Sequence, residues 1–341
     1  MSKKIITFGE IMLRLAPHGY YRFMQENSFE ATYGGGEANV AVSLSNYGLD
    51  AAFVTKLPDH DIGHGAIKDL RAQGVDTSKI TLGGERVGIY YLEKGASQRA
   101  SKVIYDRAHS SIATATLKDF NFDEIFKGVD WFHFTGITPA LGGEMPEVCE
   151  AACKAAKANG VTISCDLNFR KKLWTTEKAN EVMSVLAKYI DVCIANEEDA
   201  EKVFGIKSAS TDVTQGELNH EGYISVAKQL QEKFGFTKVA ITLRESISAN
   251  DNNWAAMLYA DNQAYFSKKY ALHIVDRVGG GDSFAGGLIY ALNSNFDNQK
   301  TIEFATAASA LKHTIEGDYN RVSVAEVETL LAGDGSGRVQ R

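Results

Sequence analysis

The chain has 341 residues, 44% of them hydrophobic and 10% aromatic, so it can bury a sizeable core and is not a disordered chain. Its formal net charge of −7 argues against a nucleic-acid or anionic-membrane partner, because both reward clustered lysine and arginine. The four cysteines form no CxxC pair, and no apolar run reaches the ~20 residues that a membrane helix needs. We therefore expect a soluble, cytoplasmic protein with reduced thiols.

Short apolar or β-branched segments alternate with longer amphipathic ones along most of the chain. The expected strand and helix pairs are KKIITFG with 37–47, AAFVTK with 62–73, VDWFHFTG with 146–159, VTISCDLN with 176–188 and DVCIAN with 197–204; KVAITL leads to a hairpin and then to a helix opened by Gly281. This repetition predicts an α/β fold with a mostly parallel central sheet covered by helices on both faces. Ligands of such sheets bind beyond the carboxyl ends of the strands.

Two segments interrupt the alternation. Residues 12–33 are rich in aromatic side chains, and residues 88–107 predict two strands around a turn at 95–97. We expect them to form a small antiparallel sheet outside the main one, acting as a lid over the site. An edge extension or a dimer contact is the alternative, and because a lid can also be a contact, a homo-oligomer through the lid is expected. The remaining prediction is one domain over 1–332 and a disordered tail over 333–341.

A glycine-rich run, DRVGGGDSFAGG at 276–287, places three consecutive glycines before an aspartate and a helix of small residues. Glycine lets backbone N–H groups approach a ligand, and the first helical turn leaves N–H groups unpaired, so the run predicts an anion site. A tight turn capped by Asp282 explains the run alone equally well. A dinucleotide fingerprint is excluded because Phe284 stands where its third glycine belongs, and no lysine follows the run to make a P-loop.

A second glycine run, YGGGEANVAV at 33–42, also opens a helix. Together the two runs resemble the signatures of the ribokinase-like carbohydrate kinase family. The N-terminal element matches at Gly35, Gly36, Asn39 and Ala41, and the C-terminal element matches at Asp276, Gly279, Gly281 and Asp282. The resemblance extends over nearly the whole chain. It implies a three-layer fold with a small β-sheet lid and an enzyme that uses ATP and Mg²⁺, and it leaves a monovalent-cation requirement open.

The resemblance also implies roles for particular residues. Phosphoryl transfer needs alignment, charge stabilisation and a base near the attacking hydroxyl. Gly279, Gly280 and Gly281 would hold the transferring phosphoryl oxygens, and Asp282 would accept the proton of the sugar hydroxyl. The segment ANEED at 195–199 resembles an N-x-x-E element that supports magnesium and phosphate waters, which implies an indirect contact of Asp199 with the metal. Because Asp199 stands where glutamate is usual, Asn196 matches the element better than Asp199 does. An ordinary strand end with an acidic helical turn is the alternative there.

The residues expected to face the sugar most resemble those of family members that act on 2-keto-3-deoxygluconate. The candidate substrate-binding residues are Glu10, Gly34, Gly35, Asn39, Tyr90, Tyr105, Arg107, Arg170, Asp282 and Asp318. The candidate cofactor-binding residues are Asn168, Arg170, Asn196, Arg244, Gly279 and Gly281, with Asp199 near the metal. Residues 243–246 replace a glycine-containing nucleotide loop, so nucleotide contacts by Arg244 are an open question.

An enzyme that binds a sugar acid needs positively charged side chains near the substrate carboxylate. The planar guanidinium of arginine can donate two parallel hydrogen bonds to a carboxylate. Arg107 and Arg170 are the candidates, although an arginine beyond a strand is often only a surface charge. The prediction is ATP-dependent phosphorylation of 2-keto-3-deoxygluconate at its 6-hydroxyl, with the galactonate epimer left open. A fructokinase or another neutral-sugar kinase is the alternative. A non-catalytic sugar-binding regulator is disfavoured because Asp282 is present.

Overall fold

The computed structural model describes residues 3–196, 198–207, 220–333 and 335. The strands are β1 (Lys4–Phe8), β2 (Met12–Ala16), β3 (Glu30–Gly34), β4 (Asp50–Val54), β5 (Lys56–Leu57), β6 (Thr81–Leu82), β7 (Gly88–Glu93), β8 (Lys102–Asp106), β9 (Trp131–Thr135), β10 (Thr162–Asp166), β11 (Val192–Ala195), β12 (Lys238–Ser246), β13 (Asp251–Ala260), β14 (Gln263–Phe266) and β15 (Tyr270–His273). The helices are α1 (Gly36–Asn46), α2 (Asp61–Ala72), α3 (Phe122–Ile125), α4 (Ile137–Ala140), α5 (Met145–Ala158), α6 (Thr176–Leu186), α7 (Asp199–Phe204), α8 (His220–Phe234), α9 (Gly280–Asn293), α10 (Asn298–Lys312) and α11 (Val324–Leu331).

The main sheet has the strand order β14-β13-β12-β11-β10-β9-β1-β4, with β15 paired beside β13. From β4 to β12 neighbouring strands are parallel, and β13 turns the edge antiparallel. The carboxyl ends of β1, β9, β10 and β11 therefore meet at one edge, which is where such sheets bind ligands.

Alternating side chains of each parallel strand pack into two separate cores. Ile6 packs with α5 and α6 on one face of the sheet, whereas its neighbour Ile5 packs with α1, α9 and α10 on the other. In β11 the same alternation separates Cys193 from Ile194. Successive strand residues point to opposite faces, so apolar residues at every position require helices on both sides. The predicted three-layer α/β fold is confirmed.

The small sheet has the order β3-β2-β7-β8, so the segments expected at 12–33 and 88–107 provide its strands. The prediction that this sheet is antiparallel is wrong at its centre, where β2 and β7 run parallel with Met12 opposite Gly88. Between these two strands the chain passes through α1 and α2, and such a long crossover allows parallel pairing where a short hairpin does not. The β7–β8 hairpin is antiparallel as expected.

The remaining predictions concern membrane helices, the cysteines and the C-terminal tail. No helix within the described ranges is long and apolar enough to cross a membrane. All four cysteines are buried and carry free thiols. Of the expected tail at 333–341, only residues 333 and 335 lie among the described residues, so the tail and the extent of the domain stay predictions.

Candidate active site

A cavity of about 390 Å³ lies at the carboxyl edge of the parallel strands, where the small sheet faces the main one. It is lined by every residue that the sequence predicts to bind the substrate or the cofactor. These are Glu10, Gly34, Gly35, Asn39, Tyr90, Tyr105, Arg107, Asn168, Arg170, Asn196, Asp199, Arg244, Gly279, Gly280, Gly281, Asp282 and Asp318. Residues that were not predicted from the sequence also line the cavity, among them Glu37, Asp166 and Arg277.

The second glycine run is shaped by steric contacts at the start of α9. Gly279 adopts φ 80°, and a Cβ atom there would lie 2.0 Å from the main-chain oxygen of Asp318. A Cβ atom on Gly280 would lie 2.4 Å from the His313 ring. Gly281, by contrast, faces open space. The first two glycines are thus required by packing, and the third leaves the cavity floor uncovered.

Unpaired N–H groups converge at the same place. Among the described residues, the main-chain N–H groups of Gly279, Gly281 and Asp282 donate to no protein acceptor. Gly280, in contrast, donates to the Arg277 oxygen at 3.2 Å. Unpaired donors at the positive end of a helix dipole attract an anion. The predicted anion site stays a prediction, and these three donors are the groups that would form it.

Asp282 does not cap its helix, which removes the structural alternative for the glycine run. The N-cap position is Gly279 and no side chain caps α9. The Asp282 carboxylate instead accepts a hydrogen bond of 2.7 Å from the amide of Asn39. Burial raises the pKa of Asp282 to about 6, with the Asp318 and Glu37 carboxylates adding to the shift and Asn39 opposing it. A half-buried carboxylate that titrates just below neutral pH is suited to accept a proton.

Arg107 is already paired inside the cavity. Its Nε donates to Oε2 of Glu10 at 2.8 Å, and its Nη2 contacts the same oxygen. Its guanidinium also lies 5.0 Å from the centre of the Tyr105 ring. Burial raises the pKa of Glu10 while Arg107 lowers it. The two residues, which the sequence offered as separate substrate contacts, form a buried ion pair, so Arg107 is not a spare cation.

A buried network that the sequence reading missed holds the wall opposite. Arg14 donates to Asp318 at 2.7 Å and to Asp276 at 2.5 Å. The Tyr90 hydroxyl lies 2.7 and 2.6 Å from the two carboxylate oxygens of Asp318 and donates its one proton to this carboxylate, and burial raises the pKa of this tyrosine well above its usual value. No clear sequence signal pointed to this network, because Leu13 and Leu15 make the other face of the strand equally apolar.

Acidic groups occupy the ends of β10 and β11. Both carboxylate oxygens of Asp199 accept main-chain N–H bonds of 3.1 Å, from Phe169 and from Asn196, so Asp199 fixes the two loops that follow these strands. Asp166, which the sequence reading did not name, is half-buried, and burial with the nearby Asp199 carboxylate raises its pKa well above the usual value. No group of three or more His, Cys, Asp or Glu side chains in the described part of the chain is arranged to hold a metal ion.

Arg170 lines the cavity without a carboxylate partner among the described residues. It is exposed, forms no salt bridge with any described residue, and donates only a 3.4 Å bond to the neighbouring Phe169 oxygen. Burial raises the pKa values of Asp166, Asp199 and Asp282, the Arg170 charge opposes this rise, and all four residues line the same cavity.

The segment at 243–246 is not a loop. Strand β12 continues through it to Ser246, and Arg244 lies opposite Trp254 of β13, with both residues lining the cavity. Arg277 supplies a second guanidinium on this side, and burial together with the charge of Arg244 lowers its pKa. The wall where the nucleotide was expected is formed by the β12–β13 ribbon with Arg244 and by Arg277 before α9.

Comparison with known families matches residues 2–324 to the pfkB family of carbohydrate kinases. The chain belongs to this family. It is therefore a carbohydrate kinase, as the paired glycine runs implied.

Individual relatives cover nearly the full chain. A crystal structure of 2-dehydro-3-deoxygluconokinase from Thermotoga maritima is 54% identical with a TM-score of 0.94, covering 98% of this chain and 99% of that one. The 2-dehydro-3-deoxygalactonokinase of Haloferax volcanii is 31% identical, covering 99% of both chains. An Escherichia coli structure in complex with ATP and Mg²⁺ is 21% identical with a TM-score of 0.79 over 97% of this chain and 99% of that one, which shows the shared fold.

Proposed function

We propose that this kinase transfers the γ-phosphoryl group of ATP to the 6-hydroxyl of 2-keto-3-deoxygluconate. The observation that carries the proposal is the 54% identity, over 98% of the chain, to a kinase named for this substrate under its synonym 2-dehydro-3-deoxygluconate. The cavity supports it, because a sugar acid brings a carboxylate and Arg170 offers, at the cavity wall, a guanidinium that forms no salt bridge with any described residue.

The transfer uses groups already positioned in the cavity. The 6-hydroxyl oxygen attacks the γ-phosphorus, its proton passes to the Asp282 carboxylate, and the bond to the bridging oxygen breaks so that ADP leaves. The unpaired N–H groups of Gly279 and Gly281 hold the phosphoryl oxygens as charge shifts during transfer. Asn39 keeps the Asp282 carboxylate oriented through its 2.7 Å hydrogen bond.

Mg²⁺ neutralises phosphate charge in such reactions and usually keeps several waters, with only one or two protein carboxylates. The cavity fits this weak mode of binding. Asp166 lines it with a carboxylate that accepts, among the described residues, a single main-chain N–H bond of 3.2 Å, from Asn168. Asp199 has both oxygens occupied, so its contribution is indirect, through Asn196 and the loop after β10.

The Glu10–Arg107 pair shapes the sugar end of the cavity rather than binding the carboxylate alone. Without Arg107, Glu10 would be a buried, uncompensated negative charge next to an anionic substrate. With Arg107 paired, the charge of Glu10 is compensated, and Arg170 is the residue assigned to select the acid. The sequence had offered both arginines as ligands of the carboxylate. In this proposal Arg107 compensates Glu10, and Arg170 binds the carboxylate.

A second substrate, 2-keto-3-deoxygalactonate, is favoured by the 31% identity to the Haloferax volcanii enzyme named for it. The two acids differ in the configuration of one hydroxyl group, which is read by placement rather than by residue type. Both acids share the carboxylate and the terminal hydroxyl that the proposed mechanism uses.

The test is a substrate panel with purified protein, ATP and Mg²⁺. ADP release is measured with the gluconate and galactonate epimers, fructose and ribose, and the product is checked for a 6-phosphate by NMR. We expect kcat/KM to be highest for the gluconate epimer. Faster turnover of fructose, or a phosphate at another position, would overturn the proposal. An Asp282→Asn sample purified in parallel controls for contaminating kinases.

A further inference from the structure

Lys312, the last residue of α10, has a completely buried side chain. Its ammonium group donates to the main-chain oxygens of Asp276 at 3.2 Å and Ile315 at 3.5 Å, and it makes a shorter bond to the oxygen of Val278. All its hydrogen-bond acceptors among the described residues are thus carbonyl oxygens. Buried lysines usually pair with a carboxylate, so an ammonium enclosed by carbonyls requires an explanation.

The surrounding charges balance this ammonium without touching it. Burial lowers the pKa of Lys312, while the Asp276 and Asp318 carboxylates oppose that shift and Arg14 adds to it. Both carboxylates are themselves bound to Arg14. Asp282 also contributes to the potential at Lys312. The lysine therefore belongs to one buried electrostatic group with the residues behind the anion site.

The carbonyl contacts determine the direction of the neighbouring N–H groups. In a trans peptide the carbonyl and the following N–H point in opposite directions. Because the Val278 carbonyl points at Lys312, the N–H of Gly279 points away from it. Gly279 lines the cavity and its N–H has no protein acceptor, whereas Lys312 is not a lining residue. The Lys312 ammonium, which does not line the cavity itself, thus orients the N–H of Gly279 toward the cavity.

The same ammonium joins two segments of the anion site. Asp276 and Val278 precede the glycine run, and Ile315 leads into the segment that carries Asp318. Gly279 packs so tightly on the Asp318 main-chain oxygen that a Cβ atom would be 2.0 Å from it. Loss of the cation would leave buried carbonyl oxygens facing one another without a donor, and these segments would be expected to move apart.

We propose that Lys312 is a positioning residue whose ammonium takes the place of a bound monovalent cation beneath the anion site, so that this kinase needs no dissolved potassium or ammonium ion. Main-chain carbonyl oxygens are ligands that replace water around K⁺. Here they converge on a charge that the chain itself supplies. The proposal thus answers in the negative the cation question that the sequence left open. The kinetic part of the proposal rests on the proposed function.

The first experiment uses the unmodified enzyme. kcat/KM for the sugar acid is measured with all counterions supplied as tetramethylammonium, which is too large for a carbonyl cage, and then with Na⁺, K⁺ or NH₄⁺ at equal ionic strength. We expect the values to agree within about twofold. Activation of several-fold by K⁺ or NH₄⁺ overturns the proposal. This series needs no variant, so it decides the question even if substitutions of Lys312 prevent folding.

The second experiment compares Lys312→Ala with Lys312→Met. Alanine opens a space lined by carbonyl oxygens, whereas methionine removes the charge but fills the space. In tetramethylammonium we expect both variants to lose at least tenfold in kcat/KM. K⁺ or NH₄⁺ is expected to restore at least fivefold to Lys312→Ala and nothing to Lys312→Met. Wild-type activity in Lys312→Met, or failure of both small cations to rescue Lys312→Ala, contradicts the role of the charge.

A measurement of Tm separates this proposal from the proposed function. K⁺ should raise the Tm of Lys312→Ala relative to tetramethylammonium and leave wild type and Lys312→Met unchanged. If the wild-type enzyme phosphorylates no sugar acid, the proposed function fails while this comparison still tests the cation site. If the enzyme is active but Lys312→Ala shows no selective K⁺ stabilisation, the cation site fails and the proposed function stands.

Discussion

The amide of Asn39 donates to Oδ2 of Asp282 across 2.7 Å, although the two residues are 243 positions apart in the chain. The same side chain accepts the N–H of Gly35 at 3.2 Å through its Oδ1 atom. One amide therefore fixes the first glycine run and the carboxylate that follows the second. The two motifs form one site because Asn39 contacts both, and this contact holds Asp282 beside the unpaired N–H groups of α9.

Replacing Asp282 by Asn is expected to lower kcat by a factor on the order of 10² or more, because a positioned base is lost while the shape is kept. The fold and ATP binding should persist, since Asp282 caps no helix. Steady-state kinetics, Tm and an ATP titration check this together. A folded Asp282→Asn variant with kcat near that of wild type would falsify the assignment of Asp282 as the base.

The pH dependence follows from the same carboxylate. Its pKa is raised to about 6 by burial, and the base must be ionised to accept a proton. At saturating ATP and Mg²⁺, kcat/KM for the sugar should therefore be level above about pH 7 and fall roughly tenfold per pH unit below about 6. In Asp282→Asn, the residual kcat/KM should lack this fall at low pH, which is called the acid limb of the profile. If the limb persists in that variant, another group is responsible for it.

Asn39→Ala provides a directional check on that profile. The Asn39 hydrogen bond favours the ionised form of Asp282, so its removal should raise the pKa and move the acid limb to higher pH. The measurement is the same pH series of kcat/KM, with Tm to show that the variant is folded. A limb that stays in place or moves to lower pH contradicts the interaction seen in the structure.

The sequence predicted the layers and the location of the site because both depend on local patterns. Apolar runs, amphipathic helices and glycine turns are visible in any one segment, and the carboxyl ends of parallel strands meet at one edge. It did not predict α10, whose residues are buried on nearly all sides and so show no amphipathic period. Nor did it predict which charges pair, since Arg107 with Glu10 joins residues 97 positions apart.

Arg14 should contribute strongly to stability. Its side chain is buried and binds the buried carboxylates of Asp276 and Asp318. Arg14→Met leaves both carboxylates without their partner, so the free energy of unfolding should fall by about 3–5 kcal/mol. Urea denaturation measures the change. Arg86→Met is the matched control, because the Arg86–Asp106 pair is much more exposed and should cost at most about 1 kcal/mol. Equal losses in both variants would contradict the importance of burial.

The small sheet is predicted to close over the cavity when substrates bind. Arg14 on β2 and Tyr90 on β7 anchor the small sheet to Asp318 of the body, whereas β8 is mostly exposed and its Tyr105 lies at the cavity rim. Hydrogen exchange with the sugar acid and a non-hydrolysable ATP analogue tests closure. Increased protection is expected in residues 12–33 and 88–107. Unchanged exchange in both segments rejects the lid.

The final prediction concerns the sugar carboxylate and Arg170. A charge-assisted hydrogen bond is worth roughly 1.5–3 kcal/mol, so Arg170→Ala should lose on the order of 10- to 100-fold in kcat/KM for the acid. Arg170→Lys keeps the charge without the planar fork and should recover only part of this loss. The matched control is Lys171→Ala, which removes the same charge from the same loop at a residue that does not line the cavity.

Arg107→Ala is a poorer test, because it would leave the Glu10 carboxylate buried without a counter-charge and disturb the cavity for any substrate. Arg170 has its own ambiguity, since the guanidinium lies near Asp282 and can also contact the nucleotide phosphates. The KM for ATP is therefore measured beside the kcat/KM for the acid and for a neutral ketose. A loss confined to the acid, with KM for ATP unchanged, assigns Arg170 to the carboxylate. Equal losses on both sugars with a raised KM for ATP assign it to the phosphates, because only a contact with the carboxylate can distinguish the two sugars.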